Sequence, residues 1–159
     1  AKDIQELDLS SWQAAGNAAE PINPLVMEKF VETFSPCGFR WNTFAPAYGL
    51  AEYTLLVSTK PKGSEPVFTA VKVSEIEKDR IVEAHQDDEQ ENVRIFPSCG
   101  RLVCETKVAI VNPDTHTRCN EDQVGEIWVS DPSITRNIPS LYRRYQRRPL
   151  FKNRRFRLF

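Results

Sequence analysis

The 159-residue sequence predicts an α/β fold, a helix-covered piece of parallel sheet followed by an antiparallel β unit. Three observations predict it. Residues 11–58 run in strand–helix–strand order, which places parallel strands beneath a helix. Apolar stretches at Val67–Val73, Thr106–Val111 and Val124–Val129 read as strands of a later β unit. Between the two parts, Pro61, Gly63 and Pro66 interrupt regular structure.

Residues 11–16 read as a short buried strand that runs into a loop at Asn17–Pro21. Asn23-Pro24 predicts a helix start, with the Asn side chain capping free amides and Pro tolerated in the first turn. Val26, Phe30, Val31 and Phe34 recur at helical spacing and form the expected buried face. Gly38 follows as the left-handed residue that ends such a helix. Phe39–Ala47 reads as a second strand, interrupted by Pro46. Leu50–Ser58 is apolar enough for a buried helix or a strand, and periodicity does not choose between them. The charged stretch His85–Glu91 reads as a solvated loop, and Asn112-Pro113-Asp114-Thr115 as a turn between the last two strands. There is no internal repeat.

Composition excludes several classes. The apolar share of 40% and charged share of 27% are those of an ordinary globular domain. No apolar run approaches the ~20 residues that cross a bilayer, and the charged opening residues lack the apolar stretch of a secretory signal. Cys37, Cys99, Cys104 and Cys119 form no Cys-x-x-Cys pair. Only His85 and His116 could join them, so a zinc site is not expected. Four reduced thiols point to the cytoplasm or an organelle stroma. Both histidines lie in polar stretches and read as solvated.

The net charge of −1 conceals an asymmetry. Nine of the 21 basic residues lie after Asp131 and no acidic residue does, which leaves 12 basic and all 22 acidic side chains in residues 1–131.

Three segments carry a more specific signal. They are Asn17-Ala18-Ala19-Glu20-Pro21; Pro36-Cys37-Gly38-Phe39-Arg40 with Tyr48-Gly49-Leu50-Ala51-Glu52-Tyr53-Thr54-Leu55-Leu56-Val57-Ser58; and Gly125-Glu126-Ile127-Trp128-Val129. In this order and spacing they resemble the adenylate-forming enzymes, and among them the fatty acyl-AMP ligases. The typical pattern there is Asn-Gly-Ala-Glu-Pro, a Cys-Gly-Phe segment, then Tyr-Gly-Leu-Ala-Glu-Ala-Thr-Leu. The resemblance covers roughly residues 8–135, so the chain reads as a middle piece of a larger enzyme's N-terminal domain. It implies an α/β adenylate-binding segment at 1–58, a loop-rich insertion at 59–97, a β unit at 98–135 and a basic tail at 136–159.

The same resemblance implies ATP and Mg²⁺ as cofactors and a long-chain fatty acid as the substrate activated to acyl-adenylate. It implies an acyl carrier protein as acceptor, since the ligase branch carries an insertion between the Tyr-Gly motif and Ser98-Cys99-Gly100-Arg101; plain surface decoration is the other reading of 59–97. Asn17, Ala18, Ala19 and Glu20 would line the adenine slot, where small residues let backbone approach a flat purine. An ordinary strand-to-helix loop is the alternative, and Ala18 stands where the family has Gly. Tyr48 would stack on adenine, with Gly49, Leu50 and Ala51 shaping the turn beside it. Glu52 would contact Mg²⁺, an ion that takes one or two carboxylates plus phosphate oxygens. A Tyr48 packed in the core and a solvated Glu52 is the alternative. Gly125–Val129 reads as a structural strand.

The family's phosphate loop, ribose-binding Asp and mobile-domain Lys have no counterpart in this sequence. Catalysis by the chain without the remainder of the parent enzyme is therefore not expected, and a non-catalytic adenylate-binding or protein-interaction module is the competing reading. Exposed strand edges and apolar faces are expected to make such a piece self-associate. After Pro132-Ser133-Ile134-Thr135-Arg136 the family continues with Gly-Tyr-Trp, whereas this chain gives Asn137-Ile138-Pro139 and an arginine-rich tail. A reading-frame slip or mis-spliced exon near residue 136 explains the switch. A genuine basic tail that binds nucleic acid is the weaker reading, and nucleic acid is not an expected partner. Translation of the coding DNA in its other frames is expected to restore Gly-Tyr-Trp; if neither frame does so, the slip is excluded.

Overall fold

The computed structural model describes residues 4, 6–53, 55–130, 152–153 and 157–158, without the side chains of Glu52 and of the last four. The basic tail therefore lies outside the described residues, except for the short antiparallel pair Lys152–Asn153 and Arg157–Leu158.

The first unit is strand β1 (Ala15–Asn17), helix α1 (Pro24–Phe34) and strand β2 (Phe44–Tyr48). β1 and β2 pair in parallel, with Ala15 opposite Phe44, Gly16 opposite Ala45 and Asn17 opposite Pro46. Parallel neighbours require a crossover, which α1 supplies. β2 continues antiparallel to β3 (Ser58–Thr59), and β3 to β6 (Arg101–Leu102), which completes a four-stranded sheet in the order β1-β2-β3-β6. β4 (Phe68–Lys72) pairs antiparallel with β5 (Val93–Pro97), with the one-turn helix α2 (Val73–Ile76) between them. β7 (Lys107–Val111) pairs antiparallel with β8 (Glu126–Ser130). The α/β class is as the sequence predicts: one helix-covered parallel pair, then antiparallel strands.

The Asn23–Pro24 start forms as expected, with the Asn23 side chain accepting from the Leu25 amide at 3.0 Å. The helix leaves through a 3₁₀ turn, Ser35–Cys37, and Gly38 ends it at φ 88° with its amide on the Ser35 carbonyl at 2.9 Å. Phe30, Val31 and Phe34 lie on the packed face as expected, and Met27 takes the place expected of Val26. Met27 is buried with Phe30, Val31 and Phe34 beside it, while Val26 is 63% exposed. Positions 27, 30, 31 and 34 share one stripe of a 3.6-residue helix, and Val26 falls on its flank.

Residues 11–14 are exposed and not a buried strand. The carbonyls of Ser10 and Trp12 are taken by the Arg40 guanidinium at 2.8 and 3.3 Å, so a side chain occupies part of what a strand partner would use. The second strand starts later than Phe39, because Trp41–Thr43 form a 3₁₀ turn closed by the Thr43 amide on the Arg40 carbonyl. Leu50–Ser58 is neither one helix nor one strand: Ala51–Tyr53 make a 3₁₀ turn and only Ser58 enters the sheet.

Three apolar clusters hold the fold. Under α1, Phe39 meets Phe44 at 5.1 Å and Phe30 at 5.0 Å between ring centroids, both edge-to-face. Such pairs add about 0.5–1.5 kcal/mol each beyond their burial. Tyr53 and Val57 pack with Ile110, Ile127 and Val129, which joins the β2–β3 connection to the β7–β8 pair. Val71 centres a smaller cluster with Val67, Ile76, Ile81, Phe96 and Val124.

Gly100, at φ 82°, lies where a Cβ would come within 2.1–2.3 Å of the Thr59 and Lys60 backbone. Gly100→Ala is expected to separate β6 from β3 and to lower stability by roughly 2–4 kcal/mol. Urea unfolding followed by far-UV circular dichroism measures the shift.

Candidate functional site

Two of the sequence-singled segments leave the sheet at the same end. Asn17 is the last residue of β1, and Ala18, Ala19 and Glu20 follow it. Tyr48 is the last residue of β2, and Gly49, Leu50 and Ala51 follow it. Because the strands are parallel and Asn17 faces Pro46, Tyr48 extends two residues past that pair, to the level at which Ala18–Glu20 turn away. Neighbouring strands lie ~4.8 Å apart. The crevice outside the carboxyl ends of parallel strands is the general ligand position of open α/β sheets.

Side-chain environments differ along the two segments. Asn17 is half-buried, while Ala18, Ala19 and Glu20 are exposed. Ala19 adopts φ 75°, a left-handed conformation that costs a non-glycine residue of the order of 1 kcal/mol. The methyl of Ala18 therefore stands beside a strained backbone that remains open to solvent. Tyr48 is half-buried and packs against the Tyr53–Ile127 cluster. Its carbonyl accepts the Val57 amide at 2.9 Å. Leu50 joins the same cluster and Ala51 is exposed. Glu52 has its backbone in the Ala51–Tyr53 turn, and its side chain lies outside the described residues.

Gly49 is required sterically. A Cβ there would fall 1.6 Å from the Leu55 carbonyl oxygen, because the segment after Glu52 folds back over it. Leu55 closes that fold-back at φ 80°, with its amide on the Leu50 carbonyl at 3.1 Å.

The sequence did not signal Tyr53 as part of this region. It is 3% exposed and its hydroxyl is hydrogen-bonded to Thr106 Oγ1. A tyrosine in an apolar run was the available sign, since a buried phenol needs a partner. Burial pushes the Cys99 thiol up to about 11, so it stays protonated at neutral pH and is a poor nucleophile. Cys119 is raised as well, first by burial and then by Asp79. His85 and His116 are exposed, and among the described residues no three His, Cys, Asp or Glu side chains converge on a metal position.

The profile of the AMP-binding enzyme family matches residues 1–138. This chain belongs to the AMP-binding enzymes. It is 48% identical over 134 residues to the medium-chain fatty-acid acyl-carrier-protein ligase JamA of Moorena producens, a match covering 84% of this chain and 23% of that protein. It is 38% identical over 128 residues to the long-chain fatty-acid AMP ligase FadD32 of Mycolicibacterium smegmatis, covering 80% and 20%. The fold superposes on the fatty acid AMP ligase of Legionella pneumophila with a TM-score of 0.76 at 39% identity, over 84% of this chain and 23% of that one. The chain thus spans less than a quarter of the length of each of these AMP-binding relatives. The resemblance read from the three motifs is borne out at the level of the family.

Gly49→Ala is expected to force the Leu50–Leu55 segment off Tyr48 while leaving α1 intact. Nuclear magnetic resonance shifts confined to residues 46–58, with the helix amides unmoved, are the expected readout.

Proposed function

We propose that this chain forms part of the adenylate-binding wall of an ATP-dependent fatty acid–AMP ligase. The observation that carries the reading is the exit of Asn17–Glu20 and Tyr48–Glu52 from the carboxyl ends of adjacent parallel strands. The chemistry of these residues fits an adenine nucleotide. Ala18 and Ala19 leave their loop free of bulk, and Tyr48 offers an aromatic ring at the same level.

In this reading Asn17, Ala18, Ala19 and Glu20 line the purine slot, and Tyr48 stacks on adenine with Gly49, Leu50 and Ala51 shaping the turn. Glu52 would hold Mg²⁺, which would supply neutralisation of the phosphate charge when the fatty-acid carboxylate is joined to the α-phosphate and pyrophosphate leaves. Residues 59–97 are the insertion between the wall and the β unit at 98–135. The fatty acid and the acyl carrier protein engage the remainder of the parent enzyme together with this wall. JamA is named for a medium-chain substrate and FadD32 for a long-chain one.

Calorimetry with a non-hydrolysable acyl-AMP analogue tests the reading. The chain is expected to bind the analogue, Tyr48→Leu to weaken binding about tenfold, and the chain alone to release no pyrophosphate from ATP and a fatty acid. Binding that both Tyr48→Leu and Glu52→Gln leave unchanged would overturn it.

A further inference from the structure

The turn that carries Glu52 is poorly fixed by its own backbone. Ala51–Tyr53 is a single 3₁₀ turn, and the Tyr53 and Leu55 amides share one acceptor, the Leu50 carbonyl, both at 3.1 Å. Leu55 behind it is 72% exposed at φ 80°. Shared acceptors and short 3₁₀ turns define position weakly.

A side chain supplies what the backbone lacks. The Tyr53 ring sits among Val57, Ile110, Ile127 and Val129, and its hydroxyl reaches Thr106 Oγ1. Thr106 is itself 7% exposed, and its hydroxyl donates to the Val103 carbonyl. A threonine hydroxyl has one proton, so Tyr53 is the donor to Thr106. The Val103 amide then donates to the Val57 carbonyl at 3.1 Å. The bonds Tyr53–Thr106–Val103–Val57 thus close a ring on the segment that contains the turn. The motif pattern read from the sequence has alanine at this position, so the motif itself does not supply the brace.

We propose that Tyr53 is a positioning residue, whose hydroxyl, held by Thr106, fixes the Ala51–Tyr53 turn and with it Glu52. The inference rests on the reading of Glu52 as a metal contact. The ring and the hydroxyl have separable effects. The ring contributes apolar burial, which phenylalanine preserves, and the hydroxyl alone ties the turn to the β6–β7 connection.

Hydrogen exchange on the full chain, followed by mass spectrometry, tests the brace directly. Tyr53→Phe and Thr106→Val are each expected to speed exchange of residues 50–57 on the order of fivefold, with β7 and β8 unchanged and the double variant no faster than either single. Unchanged exchange at 50–57 overturns the proposal, and so does acceleration spread evenly into β7 and β8. A second arm measures affinity for α,β-methylene-ATP against Mg²⁺ concentration. Tyr53→Phe is expected to raise the Mg²⁺ needed severalfold without changing affinity for AMP in the absence of metal; an unshifted Mg²⁺ requirement overturns the link to Glu52. Absence of nucleotide binding by the unaltered chain overturns the adenylate-site reading and the link to Glu52 with it, and the exchange data still decide whether the brace exists.

Discussion

The parallel pairing of Ala15–Asn17 with Phe44–Pro46 is the constraint on which the rest of the structure depends. Two parallel strands cannot be joined by a hairpin, so the chain between them must cross over, and α1 is that crossover. The helix is held down by Met27 and the Phe30–Phe39–Phe44 ring cluster, which lies over the strand pair itself. The same pairing sends both motif segments out of one end of the sheet. Antiparallel strands would have put Ala18–Glu20 and Tyr48–Ala51 at opposite ends, and the residues of the candidate site would not meet.

Two of the five positive-φ non-glycine residues among those described belong to that end. Ala19 and Leu55 both hold positive φ without being glycine, and Gly49 is folded against the Leu55 carbonyl. Elsewhere the sheet is conservative, with one exception. Pro46 lies within β2, between β1 and β3, where a proline removes a ladder donor. Its carbonyl still accepts the Thr59 hydroxyl at 3.3 Å and the Lys60 amide at 3.4 Å. The strand that delivers Tyr48 is thus held on its β3 side by contacts to carbonyl oxygens.

Much of this was legible in residue types. The Asn23 cap, the Pro24 start and the Gly38 stop each depend on local chemistry that acts within a few residues, and each formed where it was read. Three of the four residues expected on the buried helical face lie there; Val26 was chosen over its apolar neighbour Met27, although Met27 is the one that completes the i, i+3, i+4, i+7 stripe with Phe30, Val31 and Phe34. Residues 50–58 were not legible. Their turn is set by the Tyr53–Thr106 bond across 53 positions of sequence and by the fold-back onto Gly49. The candidate site residues were singled out by motif order, whereas the exit of both segments at one end of the sheet follows from strand direction, which single residues do not encode.

The start of the 59–97 segment is coupled to the strand that carries Tyr48. Lys60 is 7% exposed, and its ammonium donates to the Asn42 carbonyl at 2.8 Å, to Ser64 at 2.7 Å and to Pro61 at 3.4 Å. Burial pushes its pKa down while Glu65 opposes the shift, and the three carbonyls satisfy the charge without a paired carboxylate. Asn42 lies in the turn just before β2, and Pro61–Ser64 lie in the turn that opens the segment, so one cation ties the two. Beside it, the Trp41 and Phe68 rings meet at 5.7 Å between centroids, tilted by 32°, joining the same turn to β4. A charged bond that is hydrogen-bonded on every proton and a ring contact beside it resist independent movement more than either alone. The segment therefore does not hang from the sheet as a free loop. Through Asn42 and Trp41 it is anchored to the turn that leads into β2, the strand that ends at Tyr48.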